Sequence, residues 1–278
     1  MARIGIVLHG ADEQALTQAG DLAEQLTSGG HEVVGVVDDA SRSSHFRCVE
    51  PHEFPDDLDL AISLGGDGTM LRTVGLLAGS KVKILGVNFG DLGYLTVTEP
   101  EHLETAVARS LAGDHEVEER MLLRGTVGGQ NFEALNDIVV ERAPGETTVR
   151  VSVAIDGERF TSYQADGLIV ATPTGSTAYA LSARGPIVEP THESIQITPV
   201  SPHMLFDRTV VLSPKSSVAI TVERHRAAAV SVDGNTMVLM KPGDTLTCAR
   251  SPHVARLITF ERRDHFAVLR AKLGLSDR

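Results

Sequence analysis

The chain has 278 residues, 42% hydrophobic and 4% aromatic, with a formal net charge of −12. That is material for one large domain or two ordinary ones around an aliphatic core, and the acidic balance argues against partners that need a positive surface, nucleic acid or an anionic membrane. Cys48 and Cys248 make neither a metal-ligand spacing nor a disulfide framework, no signal peptide is legible, and no apolar run reaches the ~18–20 residues of a membrane helix, so the expected compartment is the cytoplasm.

From the N-terminus, residues 3–8 (RIGIVL) read as a strand, 11–28 as a helix ended by Gly29-Gly30, and 31–37 as a second strand, followed by a polar stretch at 38–57. Residues 58–64 (LDLAISL) read as a buried strand, 69–78 (TMLRTVGLLA) as a helix and 82–87 (VKILGV) as another strand. This alternation predicts a parallel sheet with helices on its faces, an α/β arrangement that binds ligands beyond the carboxyl ends of its strands. One more helix is expected at 100–113. The character then changes to short strand-like runs at 122–127, 133–141, 149–156, 158–164, 167–171, 194–198, 209–212, 217–222, 228–232 and 236–240, separated by turns rich in Gly, Pro, Asn and Asp. Asp156-Gly157 is a hairpin signal between two of them. A mainly antiparallel, β-rich second domain follows from that density. Residues 266–275 (FAVLRAKLGL) have helical spacing and are expected to pack back on the first domain.

Gly65-Gly66-Asp67-Gly68-Thr69 joins the buried strand to the helix. A glycine turn there puts bare N–H groups at a helix N-terminus, which suits a phosphate. Asp67 would repel a phosphate, so it needs another role, either as a base for a hydroxyl nucleophile or as an acceptor for a sugar. Asp-Gly is also a common structural turn. Neither G-x-x-x-x-G-K-[ST] nor G-x-G-x-x-G occurs in this loop. Asn88-Phe89-Gly90-Asp91-Leu92-Gly93-Tyr94-Leu95, at the same sheet edge, reads as a structural turn when taken alone. Asn136-Asp137 opens a strand, and a paired amide and carboxylate can bridge the hydroxyls of a ribose, though an Asn-Asp pair is also a turn. In 171–182 (ATPTGSTAYALS), Thr174, Ser176 and Thr177 can cap a helix from about Ala178. Three hydroxyls around one glycine exceed what a cap needs, and Tyr179 could pack on a base, as in a nucleotide pocket. The eleven histidines lack zinc-ligand spacing, and His203 reads as structural.

Taken together and in order, GGDGT at 65–69, GVNFGDLGYLT at 86–96, ND at 136–137 and DGLIVATPTGSTAYALSARGPI at 166–187 resemble the NAD kinase family. TPVSPHMLFDR at 198–208 and VDGN at 232–235 are looser matches. The resemblance implies a Rossmann-like α/β N-terminal domain plus a mainly antiparallel β-rich C-terminal domain, with the site between them. We expect the first at 1–98, joined by a C-terminal helix at about 264–278, and the second at 99–263. The implied activity is phosphorylation of the 2′-hydroxyl on the adenosine ribose of NAD, with ATP or polyphosphate as donor, giving NADP. Asp67 matches the general base, and Asp67, Gly68 and Arg72 match ligand contacts. Asn136 and Asp137 match the pair that holds a ribose. Asp166, Thr174, Thr177, Ala178, Tyr179, Ala180, Leu181, Ser182 and Asn235 match the rest of the dinucleotide pocket. A divalent metal, Mg²⁺, is expected on the donor phosphates with no protein side chain assigned to it, and the assembly is expected to be a homodimer or homotetramer.

The chain departs from the family pattern at Asn235, where Gln is more usual, at Arg184, where Gly is usual, and at 204–207 and Thr209. The nearest alternative is a lipid or sphingoid-base kinase, which shares the GGDGT loop but not the TPTGSTAYALS block. A non-catalytic dinucleotide sensor is the second alternative, and the intact Asp67 argues against it.

Overall fold

The computed structural model describes residues 1–8, 12–37, 46–90, 93–223, 226–261 and 264–275. It divides into one unit of residues 1–119 with 255–278 and a second of residues 120–254. In the first unit, β1 (Arg3–Leu8), β2 (Glu32–Val36), β3 (Arg47–Val49), β4 (Leu60–Gly65) and β5 (Lys83–Asn88) pair in parallel in the order β5-β4-β1-β2-β3. Every residue of β4 is buried, as a central parallel strand covered on both faces must be. The helices are α1 (Glu13–Ser28), α2 (Asp67–Leu76) and α3 (Leu103–Ala112), the last entered through a 3₁₀ turn at Pro100–His102. Asp12 caps α1 by accepting the N–H groups of Gln14 and Ala15. The helix then buries Ala15, Ala19, Leu22, Ala23 and Leu26 against strand residues Ile4, Ile6, Ile62, Leu64 and Leu85.

In the second unit the strands are β6 (Glu116–Val127, which begins in the first unit), β7 (Gln130–Ala134), β8 (Asp137–Arg142), β9 (Val149–Ile155), β10 (Glu158–Ala165), β11 (Gly167–Ala171), β12 (Ile195–Val200), β13 (Val210–Leu212), β14 (Ser217–Val222), β15 (Ala228–Val232), β16 (Asn235–Met240) and β17 (Thr245–Thr259). One six-stranded antiparallel sheet runs β13-β12-β11-β8-β15-β16. A second antiparallel set runs β10-β9-β14 and on to the first half of β17. Val, Ile and Leu side chains of both sets, such as Val140, Leu168, Val151 and Ile220, form one aliphatic core. A single-turn helix, α4 (Tyr179–Ser182), follows a 3₁₀ turn at Thr174–Thr177. The chain returns to the first unit within β17, whose Arg256 and Leu257 pair in parallel with Lys83 and Ile84 of β5. It then forms α5 (His265–Lys272), capped by Asp264.

The α/β first unit and the antiparallel second one are as expected, with differences in detail. The division falls at 119/120 and 254/255, not at 98/99 and 263/264. Leu103, Ala106 and Val107 of α3 join the first core with Leu85 and Val87 of β5, and the end of β17 extends the first sheet. The run 133–141 is two strands, because Leu135 and Asn136 break the pairing. Strands β3 and β17 were not expected, and residues 38–45 of the polar stretch lie outside the described residues.

If α3 belongs to the first core, Leu103→Ala, which empties a buried site, should cost roughly 2–5 kcal/mol in chemical denaturation. Hydrogen exchange should then show β5 amides losing protection while those of β11 keep it.

Candidate functional site

In the first unit, β4 ends at Gly65 and α2 starts at Asp67, so the GGDGT loop sits at the carboxyl edge of the parallel sheet. The helix begins at Asp67 and not at Thr69, which places the acid in its first turn. The N–H groups of Thr69 and Met70 turn back to the Gly66 carbonyl at 3.0 and 3.2 Å. Those of Asp67 and Gly68 lead the helix, where an anion is favoured. Gly68 is exposed, and a Cβ there would meet nothing within 4 Å.

The Asp67 carboxylate does not hang free. Oδ2 accepts the Tyr94 N–H and Oδ1 the Leu95 N–H, each at 2.9 Å. Lys272 Nζ stands 3.7 Å from Oδ2 and 4.3 Å from the centre of the Tyr94 ring. The carboxylate side chain keeps 31% exposure, enough to meet a ligand. Gly93 permits the approach, since a Cβ there would lie 2.7 Å from Asp67 Oδ1 and would collide with Thr96 Oγ1. Asn88 fastens the start of the segment, donating to the Gly90 carbonyl at 3.2 Å and accepting the Gly90 N–H at 3.3 Å. Residues 93–95 therefore cradle Asp67; Asp91 and Leu92 of that motif lie outside the described residues. Burial and the Asp67 charge push the Tyr94 hydroxyl up. Arg72, on α2, donates to the Leu8 carbonyl at 3.3 Å.

In the second unit the organising group is Asp233, in the β15–β16 hairpin. Asp233 and Gly234 both have positive φ, 46° and 82°, the conformation a two-residue hairpin turn requires. Its carboxylate accepts the N–H groups of Leu135 at 2.9 Å, Asn136 at 2.8 Å and Asp137 at 3.1 Å. Burial raises the Asp233 carboxyl, and those N–H donors oppose the rise. Asp137 is itself 4% exposed. Burial first and the Asp233 charge second push its carboxyl up to about 7, against the lowering effect of the Tyr179 N–H. A carboxyl titrating near neutrality donates as well as accepts, which beside the Asn136 amide suits a pair of sugar hydroxyls. The Asn136 carbonyl accepts the Thr172 N–H at 2.9 Å, and any Cβ on Gly175 would collide with that carbonyl.

The TPTGSTAYALS block is built differently from the expected capped helix. Only one turn of α-helix forms, and no hydroxyl caps it. Ser176 Oγ donates to the Val188 carbonyl at 3.1 Å and accepts its N–H at 3.0 Å. Thr177 Oγ1 donates to the Thr174 carbonyl at 3.2 Å, and Thr174 Oγ1 accepts from the Arg120 guanidinium at 3.2 Å. These hydroxyls hold the loop together. Thr174 is 5% exposed, and Ala180 is fully buried with Val139, Ile169 and Ala171. Both side chains are buried, so a contact from either residue to a ligand would be through its main chain. Tyr179 and Ser182 are exposed, and Thr177, Ala178 and Leu181 half-buried. Burial first, and then the charges of Glu141, Asp166 and Asp137, push the Tyr179 hydroxyl up. Asn235, exposed, opens β16 opposite Val232. Arg184, at a usual glycine position, has φ of 65°, the left-handed conformation that glycine adopts without strain. Among the described residues no group of three or more His, Cys, Asp or Glu could hold a metal, and no helix is long and apolar enough to cross a membrane.

The model of the ATP-NAD kinase N-terminal domain matches residues 4–115, and that of the C-terminal domain residues 135–260. The NAD kinase of Citrifermentans bemidjiense is 36% identical over the full length of both chains. The chain belongs to the NAD kinase family. The NAD kinase of Geobacter metallireducens is 40% identical over 83% of each chain. An NAD kinase from Archaeoglobus fulgidus in complex with ATP superposes with a TM-score of 0.77 at 27% identity, covering 99% of this chain and 100% of that one. Yeast NADH kinase complexed with NADH shares the fold, with a TM-score of 0.91 at 24% identity over 100% of this chain and 89% of that one. Family membership makes the chain an enzyme that phosphorylates NAD to NADP.

Three residues at these centres are given no role by sequence alone. Asp233 lies within VDGN, where its Asp-Gly hairpin signal is legible but its N–H partners are not. Tyr94 lies within the GVNFGDLGYLT block with no role of its own assigned to it, and Lys272 carries no local signal.

Two outcomes test these geometries. Gly93→Ala should displace Asp67, costing about 1–3 kcal/mol in thermal unfolding by overpacking and lowering turnover about 10–100-fold by misplacing the carboxylate. For Asp137, the folded chain holds an extra proton between pH 3.8 and about 7, so stability falls as pH climbs through that window. Asp137→Asn removes this titration, and melting curves across the window should show a shallower decline than in the parent chain; an unchanged decline would count against the assignment.

Proposed function

We propose that Asp67 is the general base of the transfer. The 2′-oxygen of the adenosine ribose attacks the γ-phosphorus of ATP, its proton passes to the Asp67 carboxylate, and the bond from the γ-phosphorus to the bridging oxygen breaks with its electron pair leaving on ADP. The observation that carries this reading is the Asp67 carboxylate itself, anchored by two main-chain N–H groups at the end of a parallel strand yet partly exposed. Asn136 and Asp137 hold ribose hydroxyls, the Tyr179 ring packs on a base, and Asp166, Thr177, Ala178, Leu181, Ser182 and Asn235 surround the dinucleotide. Gly68 and Arg72 contact ligand beside Asp67. Thr174 and Ala180 support this surface from beneath.

ATP as donor is supported by the family description and by the ATP complex of the A. fulgidus relative; inorganic polyphosphate is a second donor for the same assay. A divalent cation, Mg²⁺ first, fits as a passenger on the donor phosphates, since such ions bind through phosphates and one or two carboxylates in place of a protein cage. When bound it neutralises phosphate charge. The same reading makes the working form a cytoplasmic homodimer or homotetramer, which light scattering on the purified protein would test.

Asp67→Asn should lower turnover about 10²–10⁴-fold, the usual range for general-base help, while NAD affinity in calorimetry stays near that of the parent. A variant turning over at the parent rate would sink the assignment. Diacylglycerol as acceptor serves as the control and should give no product, while NAD and NADH are compared side by side.

A further inference from the structure

Phosphate loops with a lysine place an ammonium against the transferred group. GGDGT carries none, but the fold brings one from the far end of the chain. Lys272, in the last turn of α5, sets its ammonium 3.7 Å from Asp67 Oδ2 and 4.3 Å from the centre of the Tyr94 ring. The two side chains keep 27% and 31% exposure, so solvent and salt screen this pair less than an open surface pair. Helix α5 buries no residue. Val268 and Leu269 are only half-buried, and polar contacts of the helix include Lys272 on Asp67 and His265 at 3.6 Å from Glu118.

We propose that Lys272 is a positioning residue for phosphoryl transfer: its ammonium holds the Asp67 carboxylate in the orientation that receives the ribose proton. This rests on the reading of Asp67 as base. Before transfer, the carboxylate is fixed from three sides, by the N–H groups of Tyr94 and Leu95 and by the ammonium. When the 2′-hydroxyl proton arrives, the carboxylate becomes neutral and the ion pair loses its negative member. That loss opposes proton acceptance, so what the ammonium contributes is the orientation of the carboxylate and not its basicity. The C-terminal helix is thus part of the catalytic apparatus.

The test is a set of variants of the full-length enzyme assayed with NAD, ATP and Mg²⁺. Lys272→Met should lower kcat about 10–100-fold, the scale of a misplaced catalytic group, with KM for NAD unchanged. Lys272→Arg, which keeps the charge, should recover most of the rate. In Lys272→Ala, added ethylammonium should restore turnover in a concentration-dependent way, which a purely structural contact would not allow. A double-mutant cycle separates the routes: if Lys272 acts through Asp67, Lys272→Met costs nothing further in the Asp67→Asn background. Equal losses in both backgrounds, or a Lys272→Met enzyme at the parent rate beside an inactive Asp67→Asn, would overturn the inference and leave the base assignment standing. Full turnover by Asp67→Asn would remove the base assignment, and this inference with it.

Discussion

Carboxylates held by main-chain N–H groups organise both units. In the first, Asp67 gathers the N–H groups of Tyr94 and Leu95; in the second, Asp233 gathers those of Leu135, Asn136 and Asp137. A partly buried carboxylate is costly unless its lone pairs are matched, and a loop N–H is costly unless it has an acceptor. Each arrangement satisfies both demands at once. The consequence is positional: a loop that would otherwise sample many conformations is pinned at Tyr94 and Leu95 in one unit and at Leu135–Asp137 in the other. The glycines at 93 and 175 are the steric counterpart, clearing space for the Asp67 carboxylate and the Asn136 carbonyl.

An acidic chain that takes an anionic dinucleotide needs ways to mute its own charge. Here that is done locally. Asp137, buried beside Asp233, is pushed up to about 7, which mutes one negative charge near neutrality. The acids near Tyr179 act on a hydroxyl that burial already keeps protonated. On the other unit, main-chain donors at the start of α2 offer partial positive charge, and Lys272 supplies a full one beside Asp67. The formal net charge of −12 therefore says little about the field within reach of a ligand.

Much of this was legible in the sequence, for identifiable reasons. The strand–GGDGT–helix order placed Asp67 at the sheet edge because apolar periodicity and glycine punctuation are local signals. Parallel and antiparallel halves were separable on the same grounds. What escaped was what depends on distant pairing. β17 alternates burial along its first half, yet its role as partner of both β14 and β5 is set by residues far away in the chain. Ser176 and Thr177 looked like simple ligand donors, but their hydroxyl protons go to the Val188 and Thr174 carbonyls. Ala180 matched a family position whose side chain turns out to be core. The cradle at 94–95 and the ammonium at 272 are contacts across the chain, and no window of sequence contains both partners.

The order of segments along the chain has a consequence for biosynthesis. The second unit is inserted within the first, which needs residues 255–278 to be complete. On the ribosome, residues 120–254 emerge and can fold as a unit while the earlier sheet still lacks the strand that flanks β5. Closing a loop from β5 to the end of β17 is a long-range step that costs chain entropy. Lys272 follows β17 in the chain, so its ammonium can join Asp67 only after the second unit has been made, later than the Tyr94 and Leu95 N–H groups can.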